Sequence, residues 1–326
     1  METRENSGIS APFPDPNVDK ERINEPQASI TATFAPIITA LVESEKILGP
    51  DRRWNPKNPT QTRFLDKYFS KRGELEDFSK KQTEGSPLTI DSVASFSVQD
   101  VNKFLKDHGL DIQLDKLTPP EFGVASVEEV LVKWTQEGQN ASVRAENGTN
   151  YEAVRIKDGV SVVNPGKDFN PVVVIDTQSP DYKVIMTIPN RTIADGFELL
   201  EFIESVEDVA ESGSARPSGH KGVIFPKVDL NQQVDIDWIK QLSTQGQDGL
   251  PAIISQALQQ TIFKLNEKGA YAKSGVAFGM TRSIQPQPYV IDKPFVCWIK
   301  KEDTSVPLFA GYINYSDWKN PGELPQ

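Results

Sequence analysis

The spacing of apolar residues changes character near the middle of the chain. Between Phe34 and Leu48, residues Ile37, Ile38, Leu41, Val42 and Leu48 recur at the three- and four-residue steps of a helix, and Gly49-Pro50 supplies its stop. Asp51 to Pro59 reads as loop. A second helix is expected from Thr62 to Phe69. A third begins at Ser97, whose hydroxyl is placed to cap the turn before Val98, Val101, Phe104 and Leu105, with Gly109 at its end. Over 120–135, Val124, Val127, Val130, Leu131 and Trp134 fit helical spacing, while the β-branched content fits a strand equally well.

From Tyr151 onward short β-rich runs take over, at Val154 to Ile156, Val160 to Val163, Val172 to Ile175 and Val184 to Ile188. They are separated by Asp158-Gly159, Asn164-Pro165-Gly166 and Ser179-Pro180, which is the pattern of an antiparallel sheet. One helix interrupts them, Phe197 to Val209. Its stripe of Leu199, Leu200, Ile203 and Val206 lies opposite Glu198, Glu201, Glu204, Glu207 and Asp208, acids most simply read as solvated surface. After a Gly/Ser/Pro loop at 212–219 the pattern predicts a strand from Val223 to Val228, a short helix around Trp238, a long strand from Ala257 to Asn266, and closing strands at Phe295 to Lys300 and Leu308 to Ile313. Helices early and strands late predict an α+β fold with a large sheet. Residues 1–28, with Pro12, Pro14, Pro16 and Pro26 among polar neighbours, read as a flexible N-terminal arm to a folded domain at 29–326.

Composition narrows the function classes. The 35 Lys and Arg against 46 Asp and Glu give a net charge of −11, so phosphate backbones are not attracted and no nucleic-acid partner is expected. No apolar run is long enough to span a bilayer, and the first thirty residues lack a basic leader with an apolar core, which favours a cytoplasmic setting. The single cysteine, Cys297, lies in Pro294-Phe-Val-Cys-Trp-Ile299 and reads as a buried small hydrophobe. With only His108 and His220, no Ser-His-Asp order, zinc spacing or Cys-His pair can be assembled; no catalytic residue, metal or cofactor is expected, and the chain does not read as an enzyme. Gly269, Gly275 and Gly279 match neither nucleotide fingerprint. Asp15 and Asp176 are isolated acids. The glycan-acceptor patterns at Asn140, Asn147, Asn190 and Asn314 read as chance matches.

One region carries a pattern that an ordinary domain does not need. The strand ending at Asn266 runs into Glu267-Lys268-Gly269, then Ala270-Tyr-Ala-Lys-Ser-Gly-Val-Ala-Phe-Gly-Met280, Thr281-Arg282-Ser283-Ile284 and Gln285-Pro-Gln-Pro-Tyr289. Taken alternately, one side is Ala270, Ala272, Ser274, Val276, Phe278 and Met280, small and then apolar, as a strand lying on a core requires. The other side is Tyr271, Lys273, Gly275, Ala277, Gly279 and Thr281. Glycines and trailing prolines equally suit an exposed loop. The stretch reads as a loop able to become a strand, and a plain hairpin partner for the preceding strand satisfies the same pattern.

Four segments in order, Phe225-Pro-Lys-Val-Asp-Leu230, Ala257-Leu-Gln-Gln-Thr-Ile-Phe-Lys-Leu-Asn-Glu-Lys-Gly269, Asp292-Lys-Pro-Phe-Val-Cys-Trp-Ile299 and Pro307-Leu-Phe-Ala-Gly-Tyr-Ile313, resemble the serpins, the serine-protease-inhibitor family. They look like the strand before a short helix, the strand and hinge before the reactive loop, the strand after it, and the closing strand. Pro294 stands 25 residues after Gly269, about the length of such a loop. The likeness is strongest over 151–326 and the N-terminal half is divergent and shortened. There only Phe34-Ala-Pro-Ile-Ile-Thr-Ala-Leu41 is similar to the early helix, with Ala35 where a serine is expected. Gln259 takes the place of a histidine often found on the central strand, and Val132-Lys-Trp134 is a poor match to the Gly-x-Trp signature.

The resemblance implies a serpin-like α+β fold, with a large mixed β-sheet, smaller antiparallel sheets, helices mostly in the N-terminal half and an exposed C-terminal reactive loop. It implies a monomeric suicide inhibitor whose partner is a serine protease, with neither nucleic acid nor membrane involved. Cleavage of the loop would free Glu267, Lys268, Gly269, Ala270, Ala272 and Ser274 as a hinge that inserts into the main sheet. About a dozen ladder hydrogen bonds at ~1 kcal/mol net each would release on the order of ten kcal/mol. Counting along the loop sets the bait bond at Ser283-Ile284; Arg282-Ser283 is one step away, and Arg282 suits the acidic pocket of a trypsin-like protease. The resemblance also sets Lys227 against Glu267 where insertion begins, as an exposed pair of ~0–1 kcal/mol. Tyr271 and Lys273 in the hinge and the missing histidine favour the alternative, a non-inhibitory serpin-fold binding or structural protein.

Overall fold

A computed structural model describes residues 28–80, 86–118, 121–210, 212, 215–268, 287–302 and 304–324; the expected arm falls outside them except for Ala28. The helices form where periodicity and caps agree. Helix α1 (Ala35–Leu48) carries Pro36 in its first turn and stops at Gly49, whose φ of +97° favours glycine. Helix α2 (Pro59–Lys67) is capped by the Asn58 side chain, which accepts from the Gln61 N–H, and is followed by α3 (Arg72–Lys80). Ser97 caps α4 (Val98–Asp107) by accepting from the Asp100 N–H. Helix α5 (Gly196–Val209) has a reciprocal cap: Asp195 Oδ1 accepts from Glu198 N at 2.8 Å, and Glu198 Oε2 from Ala194 N at 2.9 Å.

The strands, in order, are β1 (Ile30–Thr31), β2 (Leu88–Ser95), β3 (Gly123–Val130), β4 (Gln139–Arg144), β5 (Asn150–Ile156), β6 (Val160–Asn164), β7 (Val172–Asp176), β8 (Tyr182–Thr187), β9 (Arg216–Pro217), β10 (Val223–Pro226), β11 (Val228–Val234), β12 (Ser243–Gln245), β13 (Pro251–Ile253), β14 (Gln259–Leu265), β15 (Tyr289–Val290), β16 (Phe295–Lys301) and β17 (Phe309–Ile313). Seven form one sheet in the order β1-β17-β16-β8-β7-β6-β9, and four form a second, β15-β10-β5-β4. Three pairs stand apart, β2-β3, β11-β14 and β12-β13.

Both faces of the seven-stranded sheet are buried, which is why its central strands read as unbroken apolar runs. Val172, Val296, Trp298 and Ala310 join α1 and α5 in one core. Their alternates Val173, Ile175, Met186, Phe295, Cys297 and Phe309 join β5, β10, β11 and β14 in another. Phe34 ties the helices together, edge-on to Phe64 and Tyr68 and tilted against Phe197.

Several expectations change. The seven-stranded sheet is antiparallel at every pairing rather than mixed. The ambiguous 120–135 stretch resolves as β3, because β2, itself unforeseen, pairs with it along eight residues. The expected strand from Val223 to Val228 breaks at Lys227, and its halves belong to different sheets. The acidic side of α5 is not plain solvated surface: Arg63 pairs with Glu201 and Lys67 with Glu204. Glu207 accepts from Trp298 Nε1 at 3.0 Å and Lys300 Nζ at 2.8 Å.

Candidate functional site

The end of β14 is fastened by its neighbours just before the chain enters the segment 269–286. Asn266, 2% exposed, donates through Nδ2 to the Gly322 carbonyl at 2.9 Å and accepts the Lys268 N–H on Oδ1 at 3.0 Å. Its own carbonyl accepts from Trp134 Nε1 at 3.1 Å. The Gly138 N–H donates to the Glu267 carbonyl at 2.7 Å, and a Cβ on Gly138 would collide with the buried Val154 side chain, so packing against Val154 favours glycine there.

Lys227, at the break between β10 and β11, sets its Nζ 2.8 Å from Glu267 Oε2 and 3.7 Å from Glu152 Oε2. The pair is not exposed as expected, since the Lys227 and Glu267 side chains are 5% and 18% accessible. Burial pushes the Glu267 carboxyl up, but contact with Lys227, a backbone hydrogen bond and the charges of Lys227 and Lys268 outweigh it, and the group ends below its ordinary value.

Beyond this anchor lies a cleft of about 1220 Å³, larger than the ~300–1,000 Å³ of ordinary ligand pockets. Its walls are β3 and β14, and Ile37, Leu41 and Ser44 of α1 border it. Among the described residues β3 is paired only with β2, and β14 only with β11, so each turns an unpaired edge to the gap. These edges belong to two separate two-stranded ladders, not to the seven-stranded sheet. The connection after α4 crosses from one wall to the other: the Asp111 and Asp115 N–H groups donate to Gln260 Oε1 and Gln256 Oε1, each at 2.7 Å. At the β14 start Gln259 Nε2 donates to the Thr33 carbonyl at 2.7 Å, so the position where a histidine was expected keeps a polar tie of its own.

The far end of 269–286 is also held. Strand β15 pairs in parallel with β10, and the Tyr289 and Ile291 N–H groups donate to the carbonyls of Gly222 and Ile224. Gly269, Ala270, Ala272, Ser274, Arg282, Ser283 and Ile284 lie outside the described residues. Lys227, Glu267 and Lys268 are described and cluster at the head of β14. Sequence reasoning gave no role to Asn266, Gly138, Gln256 or Gln260 and discounted Trp134; the one available signal was a lone tryptophan just after a β-branched run. Among the described residues no His, Cys, Asp and Glu group could hold a metal ion, and no helix is long and apolar enough to cross a membrane.

Two ladders with facing unpaired edges, anchored where one of them releases a long segment that returns in another sheet, define an architecture with known counterparts. A family model described as "Serpin (serine protease inhibitor)" matches residues 222–315. Bovine alpha-2-antiplasmin is 27% identical over 114 residues, 32% of this chain and 22% of its own length. Bovine plasminogen activator inhibitor 1 is 32% identical over 60 residues, 18% of this chain and 15% of its own. The chain thus aligns with about a quarter or less of these curated relatives. Among solved structures, the mouse protein-Z dependent protease inhibitor superposes with a TM-score of 0.59 at 15% identity, covering 91% of this chain and 93% of that one. A Manduca sexta serpin gives 0.57 at 14%, covering 94% and 97%. The chain thus matches the serpin family model over 222–315 and has the serpin fold. The family model matches 222–315, while the fold likeness covers more than nine-tenths of the chain.

Proposed function

We propose that this protein inhibits a serine protease by offering residues 269–286 as bait and taking the cut segment into the cleft between β3 and β14. The observation that carries this reading is the cleft itself, whose two walls present unpaired edges and whose head is the point where β14 releases that segment. The protease nucleophile would attack the carbonyl carbon of the bait bond, forming an ester as the new amino end departs; the freed near part, led by the small Ala270, Ala272 and Ser274, would then fill the cleft. Arg282 is the recognised residue in this reading, with the bond at Arg282-Ser283 or Ser283-Ile284. The chain supplies no catalytic group.

The test is incubation with trypsin followed by a denaturing gel. A covalent band at the summed mass, lost in Arg282→Ala, is the expected result. Nicking without such a band and without a rise in thermal stability refutes inhibition and leaves a non-inhibitory scaffold, since a shared fold does not carry activity with it.

A further inference from the structure

The inner face of β3 is fixed by its register. Ser126 stands opposite Ser92, and the Ser92 hydroxyl donates to Glu43 Oε2 on α1 at 2.8 Å. Ser126 and, two residues on, Glu128 therefore share the face turned toward α1, while Ala125 packs with Val101 and Leu105 of α4 on the other. Both Ser126 and Glu128 line the cleft. Glu128 as a residue is only partly buried, yet both of its carboxylate oxygens are sealed from water without a hydrogen-bond partner, as is Ser126 Oγ. Burial alone pushes the Glu128 carboxyl well above its ordinary range.

Among the described residues no neighbour offers this group a counter-charge. On β2 its partner is Ile90. On α1, Glu43 is taken by Ser92 and Lys46, and the Ser44 hydroxyl donates to the Leu41 carbonyl. Across the gap β14 turns Thr261 and Phe263 inward, while Lys264 alternates to the opposite face. Glu129 lies on the other side of β3, and His108 meets Asp91 on the α4 side. The two oxygens already touch no water, so a charge there is supported only by the solvent filling the adjoining cleft, which a strand laid in the cleft would displace.

We propose that Glu128 is a proton-operated latch on the cleft, which a strand can close only when this carboxyl is neutral, so that filling the cleft takes up a proton. The inference rests on the cleft being strand-receiving, as proposed above. The sign follows from linkage: the filled state binds the proton more tightly than the open one, so filling is unhindered in acid and is progressively opposed as pH rises and the open state loses its proton.

The experiment uses the full chain and a synthetic peptide of residues 270–281 with blocked ends. Annealing is followed by native-gel shift and melting temperature from pH 5.5 to 8.5, for the unaltered protein and for Glu128→Gln and Glu128→Leu. The expected annealing rate of the unaltered protein falls up to ~10-fold per pH unit once the carboxyl ionises, while both variants stay within about twofold across the range. The same pH slope in all three proteins overturns the latch and leaves the cleft reading intact. Failure of the peptide to anneal to any of them at any pH overturns both.

Discussion

Replacing Glu267 with glutamine tests whether charge holds the head of β14. The change leaves the Lys227 ammonium, 5% accessible, with only Glu152 at 3.7 Å, a side chain that is itself 64% accessible. Breaking a buried pair costs ~3–5 kcal/mol; the partial exposure of Glu267 and the residual help of Glu152 bring the loss to about 2–3 kcal/mol. Unfolding entropy of ~2.1 cal/mol/K per residue over 326 residues means ~0.7 kcal/mol per degree, so Glu267→Gln should melt about 3–4 °C lower. Lys227→Met should lose less, because Glu267 keeps Lys268 nearby. The double variant should recover most of the loss, with a coupling energy above ~1.5 kcal/mol. Four melts close the cycle. Because the Glu267 carboxyl lies below its usual 4.5, its contribution is present above that pH and fades as acid protonates it, so the gap between Glu267→Gln and the unaltered protein should narrow in acid. A glutamine variant melting within about 1 °C at neutral pH, with coupling below ~0.5 kcal/mol, would refute the reasoning and reduce the pair to an ordinary surface contact.

Three further outcomes are expected. Asp195→Ala removes one half of the α5 cap and should cost ~1 kcal/mol in urea titration, with Asp195→Asn largely restoring it. Phe263→Ala deletes a ring stacked 4.1 Å from Phe309 and should lose ~3–5 kcal/mol in the same titration. The thiol of Cys297, fully buried and pushed upward by that burial, should ignore a thiol reagent in the folded protein and react one-to-one after denaturation.

What the sequence disclosed depends on how local each determinant is. Helices α1, α4 and α5 were legible because their apolar stripes, with the Gly49 stop of α1 and the Ser97 cap of α4, are local to each segment. The central strands β7, β8 and β16 were legible because burial on both faces leaves no polar interruption. Strand β2 was missed because Asp91, Ser92 and Ser95 interrupt its apolar residues, and only pairing with β3 makes it a strand. The polar residues Asn231 to Gln233 hid the second half of β11, where the ladder to β14 carries the signal instead. At the site, Trp134 and Gly138 matter only through contacts with Asn266 and Glu267, some 130 residues on, which no window can reveal. The Lys227–Glu267 contact came from family likeness, but its burial did not, because that depends on the chain breaking at Lys227 to change sheets.

The arrangement of the seven-stranded sheet bears on how the molecule is made. Strands β16 and β17 sit between β8 and β1, so the hydrogen bonds joining the sheet's two ends wait on residues emerging more than a hundred positions after β8. A nascent chain on the ribosome must keep the apolar edge of β8 unpaired for that interval, at ~5–20 residues per second a matter of several seconds or more. Late closure of this kind makes folding slow, and it exposes the chain to mispairing with a neighbouring nascent copy before its own final strands arrive.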